Sequence, residues 1–160
     1  MVKHYYPLLL RDDARQRDRA LSVSGKIYEL TQFLVDVLKV KDLGASFRAR
    51  AVFHDSCQVS RALGVTQQPR VLLSKVRGLE LLEYGHPERC CGFGGSFSFQ
   101  FPEISEAIVR DKAESIIQSG ATHLISCEIS CLMNIGGFLG KEGHHIEAVH
   151  IAEVLDSRRG

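Results

Sequence analysis

PEISEAIVRDKAESIIQSGATHLIS, residues 102–126, carries two periodicities back to back. As far as Ser119 the apolar residues Ile104, Ala107, Ile108, Ala113, Ile116 and Ile117 recur at helical spacing, and Gly120 stands where a left-handed cap ends a helix. ATHLIS follows at once as a buried-type strand ending at Cys127. A helix running straight into a strand predicts an α/β fold, with a right-handed parallel sheet flanked by helices. In such sheets ligands gather beyond the carboxyl ends of the strands.

Upstream, Ala49–Phe53 reads as a strand that ends in His54-Asp55-Ser56-Cys57 and so delivers a cysteine at its carboxyl end. A helix is predicted over Pro69–Val76, with proline in its first turn. A second strand over Leu79–Tyr84 leads into the loop EYGHPERCCGFGGSFSF, residues 83–99. Downstream, residues 131–140 read as a helix containing Gly136 and Gly137, and IEAVHIAEVLD, residues 146–156, as a final strand and helix. Toward the amino end, GKIYELTQFLVDVLKV, residues 25–40, places Ile27, Leu30, Phe33, Leu34, Val37 and Leu38 on one face of an amphipathic helix ended near Gly44. RDDARQRDRALSVSG, residues 11–25, is charged and weakly patterned, either a short solvated helix or a mobile arm. The expected division is an arm and helix over residues 1–44 and a cysteine-rich domain over residues 45–160.

A chain of 160 residues, 44% hydrophobic, can bury one core, and a net charge of +1 without a basic stripe argues against a nucleic-acid partner. The apolar run in MVKHYYPLLL is broken by Arg11, Asp12 and Asp13, too early for a secretory signal. No segment approaches the roughly 18 apolar residues of a membrane span. A soluble, cytoplasmic protein is therefore expected. There thiols stay reduced, and clustered cysteines more often bind metal or react than form bridges.

All five cysteines belong to one pattern: Cys57, then the adjacent Cys90 and Cys91 followed by Gly92-Phe93-Gly94-Gly95, then Cys127 and Cys131. Neighbouring cysteines diverge, so they suit a cluster with several metal atoms better than one tetrahedral zinc. Cys57, Cys90, Cys91 and Cys131 are the candidate metal ligands, with Cys127 a further candidate for holding the cofactor. The glycine amides at 92, 94 and 95 can approach sulfur closely and donate hydrogen bonds to it.

Together with YELTQFLVDVL, FHDSC, RGLELLE, CCGFGGSFSFQFPEIS, SCLMNIGG and HIAEVL, these cysteines make the chain resemble the CCG-type cysteine-rich domain family from Tyr28 to Leu155. That family includes a component of heterodisulfide reductase and the iron-sulfur subunits of glycolate oxidase and anaerobic glycerol-3-phosphate dehydrogenase. The resemblance implies an iron-sulfur cluster of 4Fe-4S type, in a non-cubane form in some members. It further implies an electron-transfer subunit of an L-lactate or glycolate oxidation system, working with other iron-sulfur or flavin subunits that oxidise the substrate. Cys131 matches the last cysteine of the family's Cys-x-x-Cys, but the earlier position holds Glu128, and Cys127 stands one place off. Cys127 is thus a substitute ligand, a neighbouring thiol or a buried residue. Family members of this kind carry two such domains, and MVKHYYP resembles the segment after the first, so the chain is expected to be a second half.

Two other classes compete. A zinc-binding structural or docking module would use three or four of the same thiolates. A thiol-disulfide oxidoreductase would work through Cys90 and Cys91. His54, three residues before Cys57, could pair with it as a base but is read as a structural or supporting residue. His144, His145 and His150 are read as surface or capping residues, and His86 and Glu88 as flanking groups able to tune the site. GFGG lacks the lysine and hydroxyl of a phosphate loop. The alternation of Phe93, Phe97, Phe99 and Phe101 predicts an extended segment with one buried face, shielding the site from water.

Overall fold

Charge decides the amino-terminal elements. The structure, a computed structural model, describes residues 1–158. A short α1 (Tyr5–Leu9) precedes α2 (Ala14–Ser24), whose first turn is capped by the Asp13 carboxylate accepting from the Gln16 amide. The charged stretch is therefore a solvated helix, burying only Ala20 and Ser24.

The amphipathic helix expected over residues 25–40 is shorter and differently wound. Glu29 caps α3 (Leu30–Gln32) by accepting from the Thr31 and Gln32 amides, and the chain continues through a wider π turn over Phe33–Val37, closed by the Leu38 amide on the Phe33 carbonyl. This wider turn breaks the 3.6-residue repeat. Leu34 and Val35 consequently reach the core, whereas Ile27, Leu30, Phe33, Val37 and Leu38 stay exposed.

β1 (Ser46–His54) is longer than the predicted strand because Ser46 already pairs with Arg77 of β2 (Arg77–Leu81). Between them lie a π turn over Gln58–Ala62 and α4 (Gln67–Leu73). β2 starts earlier than Leu79 and ends before Tyr84: the Arg77 amide is drawn onto the Ala45 carbonyl, and the Leu82 amide makes the last contact, on Ala51.

The phenylalanine stretch is not extended. Gly94 and Gly95 take positive φ, which glycine alone adopts without strain, and fold the chain into α5 (Phe97–Gln100). Phe97 packs on Phe101, and Phe99 is left 84% exposed, so of these four rings Phe93 is the one packed against the core that holds Cys91 and Cys131.

α6 (Pro102–Gln118), β3 (His123–Ser126), α7 (Ile129–Lys141), β4 (Glu147–His150) and α8 (Ile151–Asp156) follow in the expected order, with Gly120 left-handed after α6. The buried face of α6, however, is Ser105, Val109, Lys112, Ala113 and Ile116, while Ile104 is exposed. His150 caps α8 with Glu153 in a reciprocal box, and His144 and His145 lie on the surface.

The four strands are all parallel, in the order β2-β1-β3-β4. Strand alternation sends Phe47, Ala49, Ala51, Phe53 and Ile125 to a core shared with α4 and α8, and Val52 and Leu124 to a core shared with α6 and α7. Chain order steps from β1 to β2 on one side, then returns to β3 on the other. β1 and β3 therefore flank the crevice where the order reverses, the usual ligand position in such sheets. Among the described residues no helix is long and apolar enough to cross a membrane.

Candidate metal centre

Strand parity delivers the first donor. His54 ends β1 in register with Ser126 of β3 and lies on the same side as Val52, under α6 and α7. The Ser126 hydroxyl donates to the His54 carbonyl at 3.0 Å, which occupies the backbone but leaves the ring untouched. That ring is 1% exposed, and neither Nδ1 nor Nε2 has a hydrogen-bond partner. A buried, unpaired polar group of this kind destabilises a fold by about 1–3 kcal/mol.

The two sulfurs arrive from separate elements. Cys131 lies in the first turn of α7, which Glu128 caps by accepting from the Ser130 amide and hydroxyl. Cys91 lies in the loop after β2. Both are 4% exposed, and their sulfurs are hydrogen-bonded at 3.2 Å. His54, Cys91 and Cys131 thus offer one nitrogen and two sulfurs, all within 4.8 Å of one another. The Cys91 thiol is pushed down by its hydrogen bond with Cys131, helped by His54, and Cys131 is pushed up by the same bond and by burial. The hydrogen-bonded pair therefore gives up its first proton more readily than an isolated buried thiol would, and a thiolate is the form that binds metal.

Side chains from three directions fix the Cys90–Cys91 loop. Ser105 donates to the Gly92 carbonyl at 2.9 Å and Asn134 to the Cys91 carbonyl at 2.7 Å. Lys112 Nζ donates to the carbonyls of His86 and Pro87, at 2.6 and 3.3 Å. The Asp55 amide also donates to the Pro87 carbonyl, while the Asp55 carboxylate is gripped by both terminal nitrogens of Arg70, at 2.8 and 2.6 Å. The loop is thereby tied to the carboxyl end of β1.

The remaining cysteines are placed differently. Cys57 is half-buried, its thiol pushed up by burial and then by charge on Cys90 and Cys91, so it shares their electrostatic neighbourhood. Cys90 is exposed, accepts from the Gly92 amide at 3.3 Å and lines a surface hollow with Ile104, Ala107 and Ile108. Cys127 packs against the other core, on the α4 and α8 side, and borders a cavity with Tyr28 and Glu29. Its thiol is pushed up by burial and by the charges of Glu29 and Asp55, which holds it neutral. The structure brings Cys91 and Cys131 together and turns Cys127 away from them.

The sequence pattern of the CCG cysteine-rich domain matches residues 51–136, a stretch that holds His54 and all five cysteines. The chain belongs to this family. The chain is 48% identical over 155 residues to lactate utilization protein A of Bacillus cytotoxicus, and 49% over 156 residues to lactate utilization protein A of an Exiguobacterium species. These matches cover 97% and 98% of this chain but 65% and 64% of the relatives, so the chain spans just under two thirds of their length.

The residues of this CCG domain fit a thiophilic metal. Two buried sulfurs and an imidazole form a donor set for such a metal, and the ring nitrogens, which lie near the Cys91 and Cys131 sulfurs, make no well-formed hydrogen bond to any protein group. His54 is legible in the sequence only through parity, two residues after Val52 on the same face. Lys112 and Ser105 are not legible, because polar residues on the buried side of a helix look like breaks in an apolar stripe.

Lys112 supplies a test of how the loop is held. Lys112→Met keeps most of the side-chain volume but strands two carbonyls, and should lower unfolding free energy by about 1–3 kcal/mol. Burial pushes the Lys112 ammonium down from 10.5 to about 8. Between those values the unfolded chain binds more protons than the folded one, so the Lys112 contribution to stability rises with pH across that window and is flat below it. Urea unfolding of both proteins from pH 7 to 10.5 should show the wild-type minus variant difference rising. A constant or falling difference would remove this account.

Proposed function

We propose that this CCG domain is an electron-carrying part of an L-lactate oxidation system, holding an iron-sulfur centre of 4Fe-4S type. The observation that carries this reading is the buried Cys91–Cys131 pair at the reversal point of the sheet, in a chain similar to proteins named for lactate utilization. When bound, such a centre supplies one-electron transfer at a potential set by its ligands, its burial and hydrogen bonds to sulfur. Cys57, Cys90, Cys91 and Cys131 are its proposed holders. Cys127, on the opposite side of the sheet, stays outside that set.

The surrounding residues support this role. The Gly92 amide donates to the Cys90 sulfur, a contact of the kind that tunes potential, and α6 and α7 exclude water from Cys91 and Cys131. Residues 45–160 are the proposed metal-holding unit and residues 1–44 an accessory arm. Flavin or further iron-sulfur subunits in the cytoplasm would oxidise the substrate, with glycolate the alternative to lactate.

The 3.2 Å approach of two buried sulfurs also favours a second reading, a zinc-holding docking module on the same thiolates. A thiol-disulfide enzyme on Cys90 and Cys91 has less support, since one thiol faces solvent and the other faces Cys131. Purification of the full chain without oxygen, followed by a visible spectrum and analysis for iron, sulfide and zinc, separates these readings. Broad absorption near the violet edge with iron and sulfide together is expected. A colourless protein with one zinc per chain would shift the role to docking, and failure to take up either metal on reconstitution would sink both readings.

A further inference from the structure

We infer that His54 is a direct ligand of the metal centre through a ring nitrogen, completing with Cys91 and Cys131 a buried donor set of one nitrogen and two sulfurs. This rests on the metal reading of the site and adds a ligand that is not a cysteine.

The turn between β3 and α7 brings one sulfur to the crevice and no more. Glu128 is committed to capping α7 through the Ser130 amide and hydroxyl, and Cys127 packs on the opposite side of the sheet. On the facing strand, β1 ends in an imidazole whose parity points it beneath α6 and α7, within 4.8 Å of both buried sulfurs. A neutral imidazole carries one donor and one acceptor nitrogen, and both are unpartnered here at 1% exposure. Two of its neighbours are used elsewhere, the Ser126 hydroxyl on the His54 carbonyl and the Asp55 carboxylate on Arg70, while the buried Ser56 hydroxyl makes no hydrogen bond to the ring. The Cys91 sulfur close by can at most take the donor nitrogen, and a coordinate bond gives the acceptor nitrogen a partner that no well-formed hydrogen bond supplies.

The competing arrangement is an imidazole that only donates a hydrogen bond to a ligating sulfur. The two differ in charge as well as in bonding. A neutral imidazole in place of a thiolate leaves the centre less negative, which raises its reduction potential, as histidine ligation does in other iron-sulfur centres.

The test uses the full chain, labelled with nitrogen-15 at histidine and loaded anaerobically with iron and sulfide, or with cobalt(II) if it takes up a single divalent ion. Pulsed electron paramagnetic resonance of the wild type should show strong coupling to one histidine nitrogen. His54→Cys should keep the metal, lose the coupling and lower the potential. His54→Ala should weaken metal binding by more than about a hundredfold, beyond the roughly 10–100-fold that loss of a supporting residue causes. A loaded wild type without directly bonded nitrogen coupling, or a His54→Ala protein with unchanged affinity and potential, would overturn the inference while leaving the cysteine-held centre intact. A wild type that binds no metal would overturn the inference together with the metal reading.

Discussion

Gly92→Ala is expected to unseat the Cys90–Cys91 loop and cost about 2–5 kcal/mol of stability. Two independent effects add. Gly92 has a φ of 87°, where a side chain costs roughly 1–2 kcal/mol, and its Cβ would stand 2.7 Å from the Ser105 carbonyl oxygen. That oxygen belongs to the first turn of α6 and is not the end of a flexible side chain, so relief requires the loop or the helix to move, at about 1–3 kcal/mol for comparable overpacking. Either movement disturbs the Ser105 hydroxyl on the Gly92 carbonyl and the Gly92 amide on the Cys90 sulfur. Loss of bound metal should therefore accompany a lower urea midpoint. Gly95→Ala is the control, since a Cβ there meets nothing within 4 Å and only the φ of 62° is penalised. Equal effects at the two positions would mean that close approach to α6 is not what holds the loop.

Cys131→Ser should remove essentially all bound metal, and Cys127→Ser should remove none. Both substitutions are nearly isosteric, so circular dichroism should report folded protein in each case. The difference lies in placement: Cys131 shares a hydrogen bond with Cys91 under α6 and α7, whereas Cys127 lies on the far side of the sheet beside Glu29. Serine at 131 replaces a polarizable sulfur with a hard oxygen that ionises poorly, a weak ligand for iron or zinc. Metal content per chain, measured on both variants after the same anaerobic loading, decides the matter. Retention by Cys131→Ser would take the centre away from this crevice, and loss from Cys127→Ser would restore Cys127 as a ligand.

These two cysteines mark the reach of local patterns. Cys127 and Cys131 stand close together in the chain, and spacing alone leaves Cys127 open as a ligand, a neighbouring thiol or a buried residue. Strand period settles its side, because Cys127 continues the parity of Ile125 while Ser126 follows Leu124. His54 illustrates the reverse case. Beside Cys57 it reads as a supporting residue, yet the residue it approaches is Cys91, far away in sequence. The phenylalanine stretch and the segment after Gln32 differ from their expected forms for a third reason: positive-φ glycines turn the first out of a strand and into the short helix α5, and a π turn breaks the 3.6-residue repeat of the second.

Local rules of side-chain period, backbone freedom and the short reach of a turn suffice to establish that strands and helices alternate into a parallel sheet, that α6 ends at a left-handed glycine, and that cysteines collect at strand ends. Long-range packing settles the rest: which thiols meet, that His54 joins them with both nitrogens unpartnered, and that Lys112 and Ser105 hold the loop from inside an apolar helix face. Those contacts join residues 13 to 40 positions apart and more, and what brings them together is the order in which strands are laid down and the burial of both sheet faces, neither of which a local pattern encodes.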